Sequence, residues 1–154
     1  MKKFIMFIAA VIVAVSCSKD NGKDDPVICP SDGQFSGSMI VTSGDVDNVS
    51  DNVIVDISFS ETEKTMDILL HQVKFVPQMP ISLDVTVPGV AYTAANEGGL
   101  TFKGENIVPI AGMVGPYPKY TVTSLTGKVS DGQLSMSLKF GDYPVKYVGN
   151  LSVK

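Results

Sequence analysis

The sequence predicts an all-β domain: an antiparallel meander of about eight strands closed into a barrel, with a β-sandwich as the alternative. Three observations carry this. From Phe35 onward apolar and polar residues alternate with period two, and no stretch keeps a helical period. The links between alternating stretches are short and polar, and Ser130-Asp131-Gly132-Gln133 sets Asp-Gly between two clean runs, a strong hairpin signal. The last run, Val145 to Val153, is long and regular, which suits it to pair back with the first and remove the sheet edges.

The elements follow in order. Phe35, Gly37, Met39 and Val41 form the first apolar face, alternating with Ser36, Ser38 and Thr42. Asp45 to Asn52 reads as a polar loop. Val53, Val55, Ile57 and Phe59 form the second face, and Glu61 to Lys64 a polar turn. Met66, Ile68 and Leu70 form the third. The phase then slips to Val73 and Phe75, which predicts a bulge near His71 and Gln72. Ile81, Leu83, Val85 and Val87 make a fourth strand, and Leu100 with Phe102 a shorter fifth. Tyr120 and Val122 slip in phase to Leu125, Gly127 and Val129. Leu134, Met136, Leu138 and Phe140, then Val145, Tyr147, Gly149, Leu151 and Val153, complete the set. Pro88 to Pro118 is dense in proline and glycine and reads mostly as turn and loop, a place where function often sits.

With 154 residues, 44% hydrophobic and 18% charged, the chain can bury one real core. All twelve positive residues are lysine and the net charge is −4, so there is no basic stripe for nucleic acid. One histidine and two cysteines exclude a zinc cluster built from those residues.

The N-terminus reads as an address. Lys2 and Lys3 precede an almost unbroken apolar run, Phe4 to Val15, too short to span a bilayer but suited to a signal peptide. The run stops at Ala14-Val15-Ser16-Cys17, which resembles the lipobox of bacterial lipoproteins, although leucine is usual where Ala14 stands. That resemblance implies cleavage before Cys17 and acylation of Cys17, hence stable attachment to a membrane; the alternative is an ordinary secreted chain with an incidental cysteine. Residues 1–16 are then a lipoprotein signal peptide, 17–32 a lipidated flexible tether, and 33–154 a single barrel domain. Asp20, Asp24 and Asp25 resemble export signals that send lipoproteins to the outer membrane, which places the expected protein at the cell surface or the periplasmic face. With Cys17 acylated, Cys29 has no disulfide partner.

The search for chemistry returns little. His71 is the one imidazole and shares the polar phase with Asp67; catalysis would also need a nucleophile and an orienting carboxylate, and there is no G-x-S-x-G elbow. Asp45, Asp47 and Asp51 cluster with Asn48, but Val49 occupies a ligand position and neither the central glycine nor the closing glutamate of a calcium loop is present. No phosphate-binding loop or dinucleotide fingerprint occurs. No enzyme activity, cofactor or metal is expected.

A family resemblance rests on the lipobox followed by Gln34-Phe35-Ser36-Gly37-Ser38-Met39, Val73-Lys74-Phe75, Pro80 through Val90, Leu125 through Leu134, and Pro144-Val145-Lys146-Tyr147-Val148-Gly149. Together these are similar to the bacterial calycin-like, or lipocalin-like, lipoproteins. The resemblance implies an antiparallel barrel of roughly eight strands and no assigned reaction. Gly33-Gln34-Phe35 also faintly resembles the G-x-W of lipocalins, while the absence of tryptophan argues against biotin binding of the streptavidin kind. Two functions stay open, both for a monomer. The first is an interaction or structural module contacting an envelope protein or glycan, with a patch around Tyr117 and Tyr120. The second is a carrier holding a small hydrophobic ligand against Phe59, Met66, Leu83, Phe102, Tyr120, Met136 and Tyr147.

Overall fold

The computed structural model describes residues 32–60, 62–75, 78–95 and 99–152. The signal peptide, most of the tether, Cys17 and Cys29 lie outside the described residues, as does Val153. Ten strands form one antiparallel sheet: β1 (Gly33–Ser43), β2 (Val46–Ser60), β3 (Thr65–Val73), β4 (Leu83–Ala94), β5 (Leu100–Gly104), β6 (Ile110–Ala111), β7 (Gly115–Pro116), β8 (Val122–Ser130), β9 (Gln133–Phe140) and β10 (Tyr143–Leu151). A short 3-10 turn, Pro118–Tyr120, precedes β8. Eight of the strands close into a barrel, each pairing with its neighbour in the order β1-β2-β3-β4-β5-β8-β9-β10 and β10 returning to β1. The pairings β3–β4 and β1–β10 join what would be the two sheets of a sandwich, so the barrel is the architecture adopted. β6 and β7 form a small hairpin added to β4.

Alternation puts one apolar face of each of the eight barrel strands inside over at least part of its length. Val53, Val55 and Ile57 of β2, Met66, Ile68 and Leu70 of β3, Val85 and Val87 of β4, and Leu134, Leu138 and Phe140 of β9 are all buried. Among the described residues no polar or charged residue is buried outright. Type-specific turns set the register. Asp131 and Gly132 both have positive φ (52° and 72°), as a two-residue hairpin of the favoured twist requires.

Several segments depart from expectation. Val46 to Asn52, expected as part of a loop from Asp45, is strand. Only Gly44 and Asp45 turn, with Gly44 at φ 63°, and β2 begins at Val46. Pro88 and Gly89 do not end the fourth strand; they sit inside β4, where Gly89 at φ 66° makes a bulge that moves the inward position from Val87 to Val90. Ile81 lies outside β4 and is 62% exposed. Tyr120 is in the 3-10 turn, not in a strand.

The predicted slip after Leu70 is a bulge at Gln72, φ 55°. The slip between Val122 and Leu125 is a bulge at Ser124, φ 53°. A bulge frees a backbone N–H from the ladder. Here carboxylates accept those donors: Asp84 from Gln72 N–H at 2.9 Å, Asp67 from Gly89 N–H at 2.8 Å, and Glu105 from Ser124 N–H at 2.8 Å. The outward acidic residues of the barrel thus fix where each strand bends.

Inside, one cross-strand row runs Phe102–Gly127–Met136–Tyr147–Met39 through β5, β8, β9, β10 and β1. Phe102 lies where a Gly127 side chain would be, and Tyr147 where a Gly149 side chain would be. Bare glycines let aromatic rings lie flat across the wall. Tyr147 reaches over to β2 and its hydroxyl donates to the Val53 carbonyl at 3.0 Å. Burial pushes the Tyr147 phenol up to about 12.

Two outcomes follow. Between pH 10 and 12 an unfolded chain ionises this phenol while the folded chain keeps it neutral, so stability falls as pH rises through that window. Denaturant melts at pH 8.5 and 11 should show wild type losing about 1.4 kcal/mol more than Tyr147→Phe. Gly149→Ala should cost about 1–3 kcal/mol by displacing the ring, and much of that cost should vanish in a Tyr147→Leu background, read as a double-mutant cycle.

Candidate functional site

Among the described residues the seven candidate ligand contacts lie at three places on the barrel. Phe102, Met136 and Tyr147 belong to the interior row and are buried at 4%, 5% and 1% exposure. Phe59 and Met66 are cross-strand partners near the end of β2; Phe59 is half-buried and edge-on to Tyr92 at 5.1 Å. They border an open surface cleft of about 390 Å³ with Pro88 and Gly89. Leu83 and Tyr120 are half-buried and pack against the core from the opposite end of the barrel. Met136 and Tyr147 also floor a shallow outer groove of about 440 Å³ beside Gly127, with Lys128 and Lys146 on its rim.

Strand direction sorts the rest by position. β1 enters the barrel at the end that also carries the β2–β3, β4–β5 and β8–β9 turns. The opposite end carries the β1–β2, β3–β4 and β9–β10 turns and the 105–121 insertion. This far end holds the aromatic cluster. Phe75 stacks on Tyr120 at 4.6 Å and tilts against Phe140 at 4.8 Å. Tyr120 meets Tyr117 at 4.9 Å and Tyr143 at 6.0 Å, and the Lys119 ammonium stands 5.6 Å from the Tyr120 ring. Phe75 and Phe140 are buried while the three tyrosines are half-buried, so the cluster is rooted in the core and opens to solvent. The patch expected around Tyr117 and Tyr120 is therefore part of a larger surface.

The β6–β7 hairpin adds to it. The Gly112 N–H donates to the Asp84 carbonyl at 2.8 Å and holds the hairpin on β4. Its tip, Met113, is fully exposed and Val114 is 63% exposed, with Val108, Ile110 and Ile81 also open to solvent. Contiguous exposed apolar residues of this kind mark contact surfaces.

The outer wall carries a polar network that the sequence reading missed. His71 Nε2 is 2.8 Å from Asp56 Oδ2, and its Nδ1 is 3.7 Å from Asp84 Oδ2. Gln34 donates to Asp56 at 2.9 Å, Gln72 donates to Asp84 at 3.2 Å, and Ser82 donates to Gln72 at 2.7 Å. The carboxylates come from neighbouring strands, so only the register could have revealed them; the phase slip at His71 was the available hint. Among the described residues no hydroxyl or thiol is hydrogen-bonded to the ring, and no group of three or more His, Cys, Asp and Glu can hold a metal ion. What the network does is pin the β3 bulge. Asp84→Ala should cost about 1 kcal/mol and speed amide exchange at Gln72, whereas His71→Ala should cost less and leave that amide protected.

No family model, no curated protein and no solved structure matches this chain.

Proposed function

We propose that this chain is a non-enzymatic lipoprotein of the cell envelope, anchored in the outer membrane through lipid on Cys17, whose barrel is an interaction module. The observation that supports this is polarity. The chain enters the barrel at one end, and the exposed apolar hairpin and the tyrosine cluster stand at the other. A lipid on Cys17 would tie the entry end to the membrane and turn Met113, Val114, Tyr117 and Tyr120 outward, toward a partner at the cell surface or in the periplasm. The aromatic and methionine side chains are the types that dominate contact energetics. A carrier of small hydrophobic ligands would need interior volume, and Tyr147, Phe75, Phe140, Met39 and Met66 fill interior positions instead.

The test is site-specific photo-crosslinking on intact host cells. A photoreactive residue at Met113 should yield a discrete adduct that Val114→Asp with Tyr117→Ala abolishes without lowering the melting temperature. The same residue at Asp131, on the entry end, should yield none. Adducts from Asp131 alone, or an unchanged adduct in the double variant, would contradict the assignment. Cys17→Ser should move the chain from the membrane fraction to the soluble fraction.

A further inference from the structure

β2 is longer than the strand it lies against. It pairs with β1 from Val46 to Ile57, but with β3 only from Val55 to Ser60. The β2–β3 pairing stops at Leu70, where the bulge begins, and β3 itself ends at Val73, so it is too short to flank the first part of β2. Val46–Ile54 is thus a strand with a partner on one side only among the described residues. The matching gap beside β4, left by the short β5, is closed by β6 pairing with Val85 and Thr86. Nothing described closes the gap at β2.

An open edge presents free backbone donors and acceptors. The β1–β2 hairpin turns on two residues, with Ser43 opposite Val46. In such a hairpin the pair next to the turn exchanges both hydrogen bonds, and bonding then alternates. The N–H and C=O of Asp47 and Val49 therefore point away from β1, toward the vacant side. Val46 and Val49 are each 61% exposed.

The charge of this ribbon selects what can add to it. Asp45, Asp47 and Asp51 lie along it, and no lysine occurs anywhere from Gly33 to Glu63. Thr42 donates to Asp47 and Ser38 to Asp51, each at 2.7 Å, which holds both carboxylates in place on the exposed wall. A second copy pairing edge to edge would set carboxylate against carboxylate, which is unfavourable. A strand with cationic side chains at alternate positions and an apolar one between them would match Asp47, Val49 and Asp51.

We propose that the Val46–Ile54 edge of β2 takes an extended, lysine- or arginine-bearing segment of a partner protein as an added strand. This deepens the reading of the far end as a contact surface and rests on it for location only. Crosslinking at Met113 tests that surface as a whole; amide exchange at Asp47 and Val49 tests this edge alone.

The probe is a capped seven-residue peptide alternating lysine and valine, added at low ionic strength to the full chain in detergent, with a glutamate-for-lysine peptide as control. The lysine peptide should slow exchange at Asp47 and Val49 and bind at least about tenfold tighter than the control. Asp47→Asn with Asp51→Asn should remove that preference. Val49→Pro should abolish binding with the barrel intact, because the N–H it deletes has no ladder partner. Equal binding of both peptides, protection elsewhere than on β2, or concentration-dependent protection of β2 without peptide would overturn the proposal.

Discussion

The structure depends on β1 pairing along both of its sides. Phe35 to Val41 bond to β10 on one side while Gly33 to Ser43 bond to β2 on the other. Without the β10 contact the molecule would be an open sheet with two edges, and its single apolar face would have nothing to pack against. With it, the inward faces of eight strands meet and form one core. Gly37 sits at the crossing, opposite both Gly149 and Val53, where a side chain would strike the β10 backbone. Three strands approach there because the residue has none. Tyr147 then covers the bare wall and its hydroxyl ties β10 to β2 across β1.

Closure demands curvature, and the chain bends its strands at a few defined places. Gln72, Gly89 and Ser124 have positive φ, and each N–H goes to a carboxylate two strands' width or less away. The same bends shape the exterior. Beside the bulge at Gln72, Asp56, His71 and Asp84 meet in one network, and the β2–β3 pairing stops at Leu70 just before it.

Much of this architecture was legible because burial writes period two into a sequence. The inward faces of β1, β3, β5, β9 and most of β10 follow the alternation read from the residues, and the slips before Val73 and before Leu125 fall on real bulges. Legibility failed where a strand leaves the core. Val46 to Asn52 belongs to a ribbon with no buried inner face, so Asp45, Asp47 and Asn48 looked like loop. Pro88-Gly89 looked like a strand end because proline is a breaker, yet at a bulge no ladder bond is lost. The partners of His71 come from strands whose register no single stretch encodes. The far-end surface was half visible: Tyr117 and Tyr120 stood out, whereas Met113 and Val114 acquire meaning only from their place on a hairpin tip.

If barrel closure through β1 is the governing constraint, the first strand should behave as interior sheet rather than as a fraying terminus. Native-state amide exchange measures this directly. The hydrogen-bonded amides of Phe35 to Val41 should exchange only through global unfolding, with the same free energy as their partners Val145 to Leu151. Exchange of the β1 amides through a low-energy local opening, with β9 and β10 still protected, would show a barrel that stands without its first strand and would contradict the account.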